Sequence, residues 1–403
     1  MKQSSLAAGA IVVAVLIVAV VASQFIGRGG PGQSQSPSFP GASASGLAGS
    51  PGASGSTPSS AASHRPGRTP KPGSATPSPD ASGVVPSTGP GSPPPETPLP
   101  TAAAERFPGG LLIADRGNGR LLAVDDAGTI LWRFPDAGSL PAGETFSADD
   151  AFISPDGKTI VANEEGNQVI VRIDIATKKV IWEYGQFGHP GGGPGQLWNP
   201  DDAYPLANGD ITVADIKNCR ILEISPDKQI VRQWGQTGVC SDNPPHTYGQ
   251  PNGDTPLPDG GMLITEIYGS RVVRLSAAGK VLFDIHVTLH YPSDAQLLSD
   301  GNVLVVDYFD PGSLIVVDPK TGNVVFHYGP KQGPGKLNHP SLALPLPDGT
   351  FVLNDDDRQR VVVIDPVSGS IVWTYGHNRQ SSAADGFLND PDGVDVAPVG
   401  VFK

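Results

Sequence analysis

Gly193–Leu222 reads GPGQLWNPDDAYPLANGDITVADIKNCRIL, and its reading decides the fold. Two short apolar runs flank Ala207-Asn208-Gly209, a dipeptide signal that tolerates the positive φ angles of a tight hairpin. The runs are too short for helices and rich in β-branched residues, so they read as strands. The same form recurs at Pro155-Asp156-Gly157, Pro258-Asp259-Gly260, Ser299-Asp300-Gly301 and Pro347-Asp348-Gly349. Six residues before each turn stand Asp149, Asp201, Asn252, Ser293 and Ser341. The strand after each turn ends in a polar anchor: Asn163, Asp215, Glu266, Asp307 and Asp355, with Asp115 opening the series. These anchors recur every 41 to 52 positions, a spacing that fits one four-stranded unit per repeat.

In the third unit the strands are 203–206, 211–215, 220–225 and 230–235. Pro205, Pro256 and Pro345 share one place in the first strand, which suits an edge strand lining a channel. The first unit opens directly at Leu111 and lacks that inner strand. The chain ends in DPDGVDVAPVG (390–400), which fits the inner-strand pattern with no unit after it. The C-terminal strand therefore completes blade one. The sequence predicts an all-β, six-bladed β-propeller of four-stranded blades over residues 105–403.

YGPKQGPGKLNHP (328–340) invites comparison with a phosphate-cradling loop. That loop needs four residues between its first glycine and Gly-Lys-[Ser/Thr]. Here five separate Gly329 from Gly335-Lys336, and Leu337 stands in the hydroxyl's place. A matching segment at 184–200 identifies both as crossings between blades, with Leu337 as a plug.

Residues 6–26 form an uncharged apolar run, long enough for a membrane helix of ~20 residues. Residues 1–27 are expected to be a transmembrane anchor, with a cleaved signal peptide and a secreted product as the alternative. Residues 28–104 are rich in Ser, Pro and Gly and are expected to be a disordered tether. The propeller would then sit on the extracytoplasmic side of the cell membrane, single-pass and monomeric. The first 104 residues carry five basic and two acidic groups, so the chain's net −13 leaves −16 on residues 105–403. Such a domain repels a phosphate backbone, which excludes nucleic acid.

The runs 113–128 and 193–222 resemble NHL repeats, with G-x-G-Q-L-x-x-P before the inner strand and V-A-D-x-x-N-x-R across the next two. Asp318, Thr321, Gly322 and Phe326, and again Asp365, Ser368, Gly369 and Trp373, are similar to the PQQ-like propeller repeat, a pattern that docks aromatics between blades. Both resemblances imply fold rather than activity. Residues 291–307 are similar to a repeat of arylsulfotransferase-type propellers, although Pro292 and Ser293 stand where that family would place histidines.

Asp115/Arg120, Asp215/Arg220, Glu266/Arg271 and Asp355/Arg360 are spaced five apart and read as structural ion pairs closing each turn. Cys219 and Cys240, the two cysteines, fall on one face and are expected to form a disulfide in an exported chain. Asp150, Asp202, Asp254 and Asp294 gather at the starts of inner strands, and His339 lies at the channel mouth, so these five are the candidate ligand-binding residues. Asp202 and Asp294 are the candidate metal ligands, with Ca²⁺ as the hard cation that carboxylates favour. Six-bladed lactonases and the amidating lyase similar to NHL repeats carry metal at such a mouth. The reading is a binding module for an extracytoplasmic protein, glycan or cation. The alternative is a propeller enzyme, arylsulfotransferase-like or lactonase/lyase-like.

Overall fold

The computed structural model describes residues 105–402. The expected anchor and tether lie outside the described residues. Among the described residues, no helix is long and apolar enough to cross a membrane.

Six antiparallel sheets follow one another along the chain. Blade one holds β1 (Leu111–Asp115), β2 (Arg120–Val124) and β3 (Ile130–Phe134). Blade two holds β4 (Ala151–Ile153), β5 (Thr159–Glu164), β6 (Val169–Asp174) and β7 (Lys179–Gly185). Blade three holds β8 (Pro200–Pro205), β9 (Ile211–Asp215), β10 (Arg220–Ile224) and β11 (Ile230–Gly235). Blade four has β12 (Met262–Glu266), β13 (Arg271–Leu275) and β14 (Val281–His286). Blade five has β15 (Pro292–Leu297), β16 (Val303–Asp307), β17 (Ser313–Val317) and β18 (Val324–Tyr328). Blade six has β19 (Ala343–Pro345), β20 (Phe351–Asp355), β21 (Arg360–Asp365) and β22 (Ser370–Gly376). The last strand, β23 (Pro391–Val396), pairs with β1 in the register Leu111↔Val396, Ile113↔Val394 and Ala114↔Gly393. The ring closes as the termini predict.

Blade four departs from the expected four strands. Its inner segment makes only isolated bridges, Pro251↔Glu266 and Pro256↔Met262. Prolines at both ends remove two donors, and the ladder survives as single bonds such as Leu263 N–H to Thr255 O at 2.9 Å.

Apolar side chains alternate across each blade and meet those of its neighbours, giving buried clusters at all six seams. Leu337 is fully buried in the seam between blades five and six, as its place in the loop predicts. Outer-strand tryptophans clamp the next blade. Trp132, Trp182 and Trp373 donate their indole N–H to the carbonyls of Ile175, Pro226 and Asp126 at 3.0, 2.8 and 2.9 Å. This is the aromatic docking that the PQQ-like resemblance implies.

The turn acids have a further task. Asp215 binds Arg220 at 2.7 Å and also accepts the N–H of Trp198 at 2.7 Å. Asp355 does the same with Arg360 and Asn338, and Asp115 with Arg120 and Asn389. Each acid thus holds the incoming loop against the end of its strand. Glu266 and Arg271 form no such pair: Glu266 accepts Gly249 N–H, while Arg271 reaches Asp242 and Asp284. In blade two the anchor is Glu164, not Asn163. Glu164 pairs with Val169 in the register that Asp215 shares with Arg220, and it accepts Ser147 N–H at 2.9 Å. Asn163 lies one place earlier and donates to Asp201 of the next blade at 3.1 Å.

Candidate functional site at the channel mouth

In an antiparallel blade, the loops between blades and the turns between second and third strands emerge on the same face. The inner strands start there. Two rings of side chains result. The outer ring is Asp149, Asp201, Asn252, Ser293, Ser341 and Asp392, and the next is Asp150, Asp202, Gly253, Asp294, Leu342 and Gly393. Hydrogen bonds tie the outer ring from blade to blade. Asn252 donates to Asp201 Oδ2 at 2.8 Å and to Ser293 Oγ at 3.2 Å, and the Ser341 hydroxyl donates to Asp392 O.

A cavity of about 150 Å³ opens among these residues. Six carboxylates line it: Asp149, Asp150, Glu165, Asp201, Asp202 and Asp392. One cation faces them. Arg116 reaches Asp149 at 2.8 Å, Asp392 at 2.5 Å and Glu165 at 3.4 Å. Tyr291 and Tyr308 complete the wall, with Tyr291 donating to Asn252 Oδ1 at 2.6 Å.

The ligand oxygens of Asp150, Asp201 and Asp202 all lie within 4.8 Å of one another. Asp150 Oδ1 and Asp202 Oδ2 are buried and have no hydrogen-bond donor among the described residues. Burial, and next the Asp202 and Asp201 charges, push Asp150 well above the usual carboxylate range. Burial and the neighbouring Asp294 do the same to Asp202. Asp201 is pushed up to about 7, chiefly by burial and then by Glu165. Asp149 also rises, through burial and Asp392, with Arg116 opposing. A proton or a cation must lie between such carboxylates. All donors are oxygens, the set that suits a hard cation such as Ca²⁺.

Of the predicted site residues, Asp150 and Asp202 line the cavity. Asp294 lies in the inner ring but accepts from Thr255 and Gln296 at 3.2 Å, and its pKa is pushed up to about 6 by burial against those bonds. Asp254 does not line the cavity; it is fully buried beside Thr212 and Ala214 of blade three, and neither of its carboxylate oxygens has a hydrogen-bond donor among the described residues. His339 binds Asp357 at 2.8 Å and packs on Tyr308 outside the cavity. Among the described residues, no histidine lines the mouth. His290 contacts Asp307 at 3.2 Å and stacks on Phe309, also outside it. Arg116, Glu165 and Tyr308 were not anticipated. All three directly follow a turn acid (Asp115, Glu164 and Asp307), and the Asn163 register hid Glu165.

Cys219 and Cys240 form a disulfide between the turn and the loop of blade three, with Cα atoms 5.2 Å apart.

A family model described as outer membrane protein assembly factor BamB matches residues 228–397, less than half of the chain. Among curated proteins, none matches the chain by sequence. Among solved structures, a protein of unknown function from Bacteroides caccae is 18% identical with a TM-score of 0.51, over 71% of this chain and 98% of that one. A chain of a nidogen/laminin complex is 14% identical with a TM-score of 0.50, over 72% of this chain and 98% of that one. A virginiamycin B lyase from Staphylococcus aureus is 18% identical with a TM-score of 0.41, over 56% and 68%. The first two likenesses show the propeller fold.

Proposed function

We propose that this chain is a binding propeller held outside the cell membrane, and that its mouth takes up a hard divalent cation of the Ca²⁺ class. One observation carries the reading. Two buried carboxylate oxygens, Asp150 Oδ1 and Asp202 Oδ2, lack donors inside a three-carboxylate cluster whose ligand atoms lie within 4.8 Å. A cation there offsets the mutual repulsion that otherwise forces protons onto these groups. Asp201 takes the place assigned to Asp294 from sequence, because Asp294 is already satisfied by Thr255 and Gln296. Arg116 holds Asp149 and Asp392, leaving the other side of the ring for the ion.

The export reading draws support from the apolar run at 6–26 and from the pairing of both cysteines, which suits an oxidising compartment. The test is titration calorimetry of the full chain with Ca²⁺ and Mg²⁺ after EDTA treatment. Saturable Ca²⁺ binding that Asp202→Asn abolishes is the expected result. Absence of binding above pH 7, or equal binding by the variant, overturns it.

A further inference from the structure

Where blades five and six meet on the loop-bearing face, an open hollow of about 570 Å³ is lined by Lys331, Lys336, Arg358 and Arg379, with Asp310 as its one carboxylate. Lys336 pairs with Asp310, so these two cancel. Lys331, Arg358 and Arg379 form no ion pair among the described residues. Three unpaired cations in one hollow stand out on a domain carrying −16.

Arg358 is the informative member. It is only 7% exposed, and its sole side-chain hydrogen bond among the described residues goes to Asn378 Oδ1 at 3.2 Å. Among the described residues its remaining N–H groups have no acceptor, and they are open to the solvent of the hollow.

The repeat shows that both arginines are departures. In blades one, two and three the third residue after the turn acid is asparagine: Asn118, Asn167 and Asn218. Each donates back to its acid, at 2.8, 2.6 and 2.8 Å. Blades four and five have Gly269 and Asp310 in that place, and blade six has Arg358. The loop amide that meets this turn belongs to glycine in blades two and three. Gly188 N–H reaches Asn167 O, and Gly238 N–H reaches Asn218 O, both at 2.8 Å and with φ of 71° and 76°. In blade six the same bond runs from Arg379 to Arg358 O at 2.8 Å, and Arg379 holds φ at 63°. A left-handed backbone disfavours any side chain with a Cβ. Two bonded positions of the repeat have thus both become arginine, one of them in a strained conformation, and both line one hollow.

We propose that this hollow binds a tetrahedral oxyanion, a phosphate or sulfate group, through Arg358, Arg379 and Lys331. A doubly charged oxyanion matches three unpaired cations better than a single carboxylate does, and forked guanidinium donors suit its geometry. The site is separate from the acidic mouth and does not depend on the reading of it.

Inorganic phosphate and sulfate are titrated into the full chain by calorimetry, with chloride at matched ionic strength as the screening control. Arg379→Gly installs the residue of blades two and three and so keeps the fold, which circular dichroism checks. Lys331→Gln changes an exposed side chain. Saturable binding of either oxyanion, weakened on the order of tenfold by each variant, is expected for loss of a charge-assisted contact. Binding no stronger than chloride's, or unchanged in both variants, overturns the proposal. Loss of Ca²⁺ uptake at the mouth has no bearing on this result, so the two readings fail independently.

Discussion

Raising the pH should weaken the metal-free propeller, and Ca²⁺ should reverse the loss. Asp201 has its pKa raised from 3.8 to about 7, and Asp294 from 3.8 to about 6. Asp149, Asp150 and Asp202 move in the same direction. Between pH 4 and 7 the folded chain therefore keeps protons that the unfolded chain has released. Stability from these groups is fully present below about pH 4 and is lost as pH rises through 6 and 7. For Asp201 alone, the shift corresponds to on the order of 4 kcal/mol. A domain's whole stability is about 5–15 kcal/mol, so the effect is large. Carboxyls with depressed pKa, such as Asp156 and Asp174 in exposed turns, contribute the opposite sign only below about pH 4, outside this window.

The assay is thermal denaturation of the full chain at pH 5, 6, 7 and 8, in EDTA or in Ca²⁺. In EDTA the Tm should fall steadily across the series. Ca²⁺ competes with protons for the same oxygens, so its effect should grow with pH. At a hundredfold excess over Kd it contributes about 2.7 kcal/mol, a rise on the order of 5 °C. Asp202→Asn removes one of the crowded charges. It should flatten the EDTA series and abolish the Ca²⁺ response. A Tm that climbs from pH 5 to 8 in EDTA would refute the raised carboxyls. An undiminished Ca²⁺ response in the variant would refute the cluster as the site.

Ending the chain at Phe387 removes β23 and the buried Leu388 and Val394, exposing the edge of β1. Loss of Leu388 alone is equivalent to about 2–5 kcal/mol, so aggregation or uncooperative melting is expected, and a melt like the full chain's would disprove ring closure. Thiol titration of the denatured, non-reduced exported chain should find no free thiol, and reduction should lower stability by about 3 kcal/mol. Two titratable thiols would contradict the Cys219–Cys240 bond. Arg220→Ala strands the fully buried Asp215, so urea unfolding should show a loss of about 3–5 kcal/mol. Arg271→Ala should lose less, because its partners Asp242 and Asp284 are partly exposed; equal losses would remove the distinction between the two turns.

The blade count, the ring closure and the disulfide were legible because each rests on spacing. Asp-Gly and Asn-Gly turns fix the hairpins, and the unmatched strand at 390–400 can pair only with β1. The mouth was half legible. The inner strands announce Asp150 and Asp202, but Arg116, Glu165 and Tyr308 come from turns, whose side-chain directions depend on the register of the preceding strand. A one-residue slip at Asn163 reverses which face a residue serves. It moved Glu165 out of the ring it shares with Arg116. His339 misled for a related reason. It precedes Pro340 with φ at 52°, and its imidazole turns out to Asp357 instead of into the mouth. Blade four hid its broken inner strand because Pro256 sits where the other blades tolerate proline.

A ring of six similar blades has no inherent reason to hold its charge on one side. The inner ring shows how the symmetry is broken. A Cβ on Gly393 would lie 2.5 Å from Asp150 Oδ1, and one on Gly253 would lie 2.9 Å from Asp202 Oδ2. Neither glycine is in the left-handed region, so conformation does not demand them. They make room. Each vacates a place that the carboxylate of an adjacent blade fills, and the two aspartates can then approach Asp201 closely enough to need a shared proton or ion. The same logic operates with opposite sign between blades five and six, where arginine replaces asparagine at 358 and glycine at 379. In this fold the repeat supplies the background, and chemistry collects where a blade departs from it.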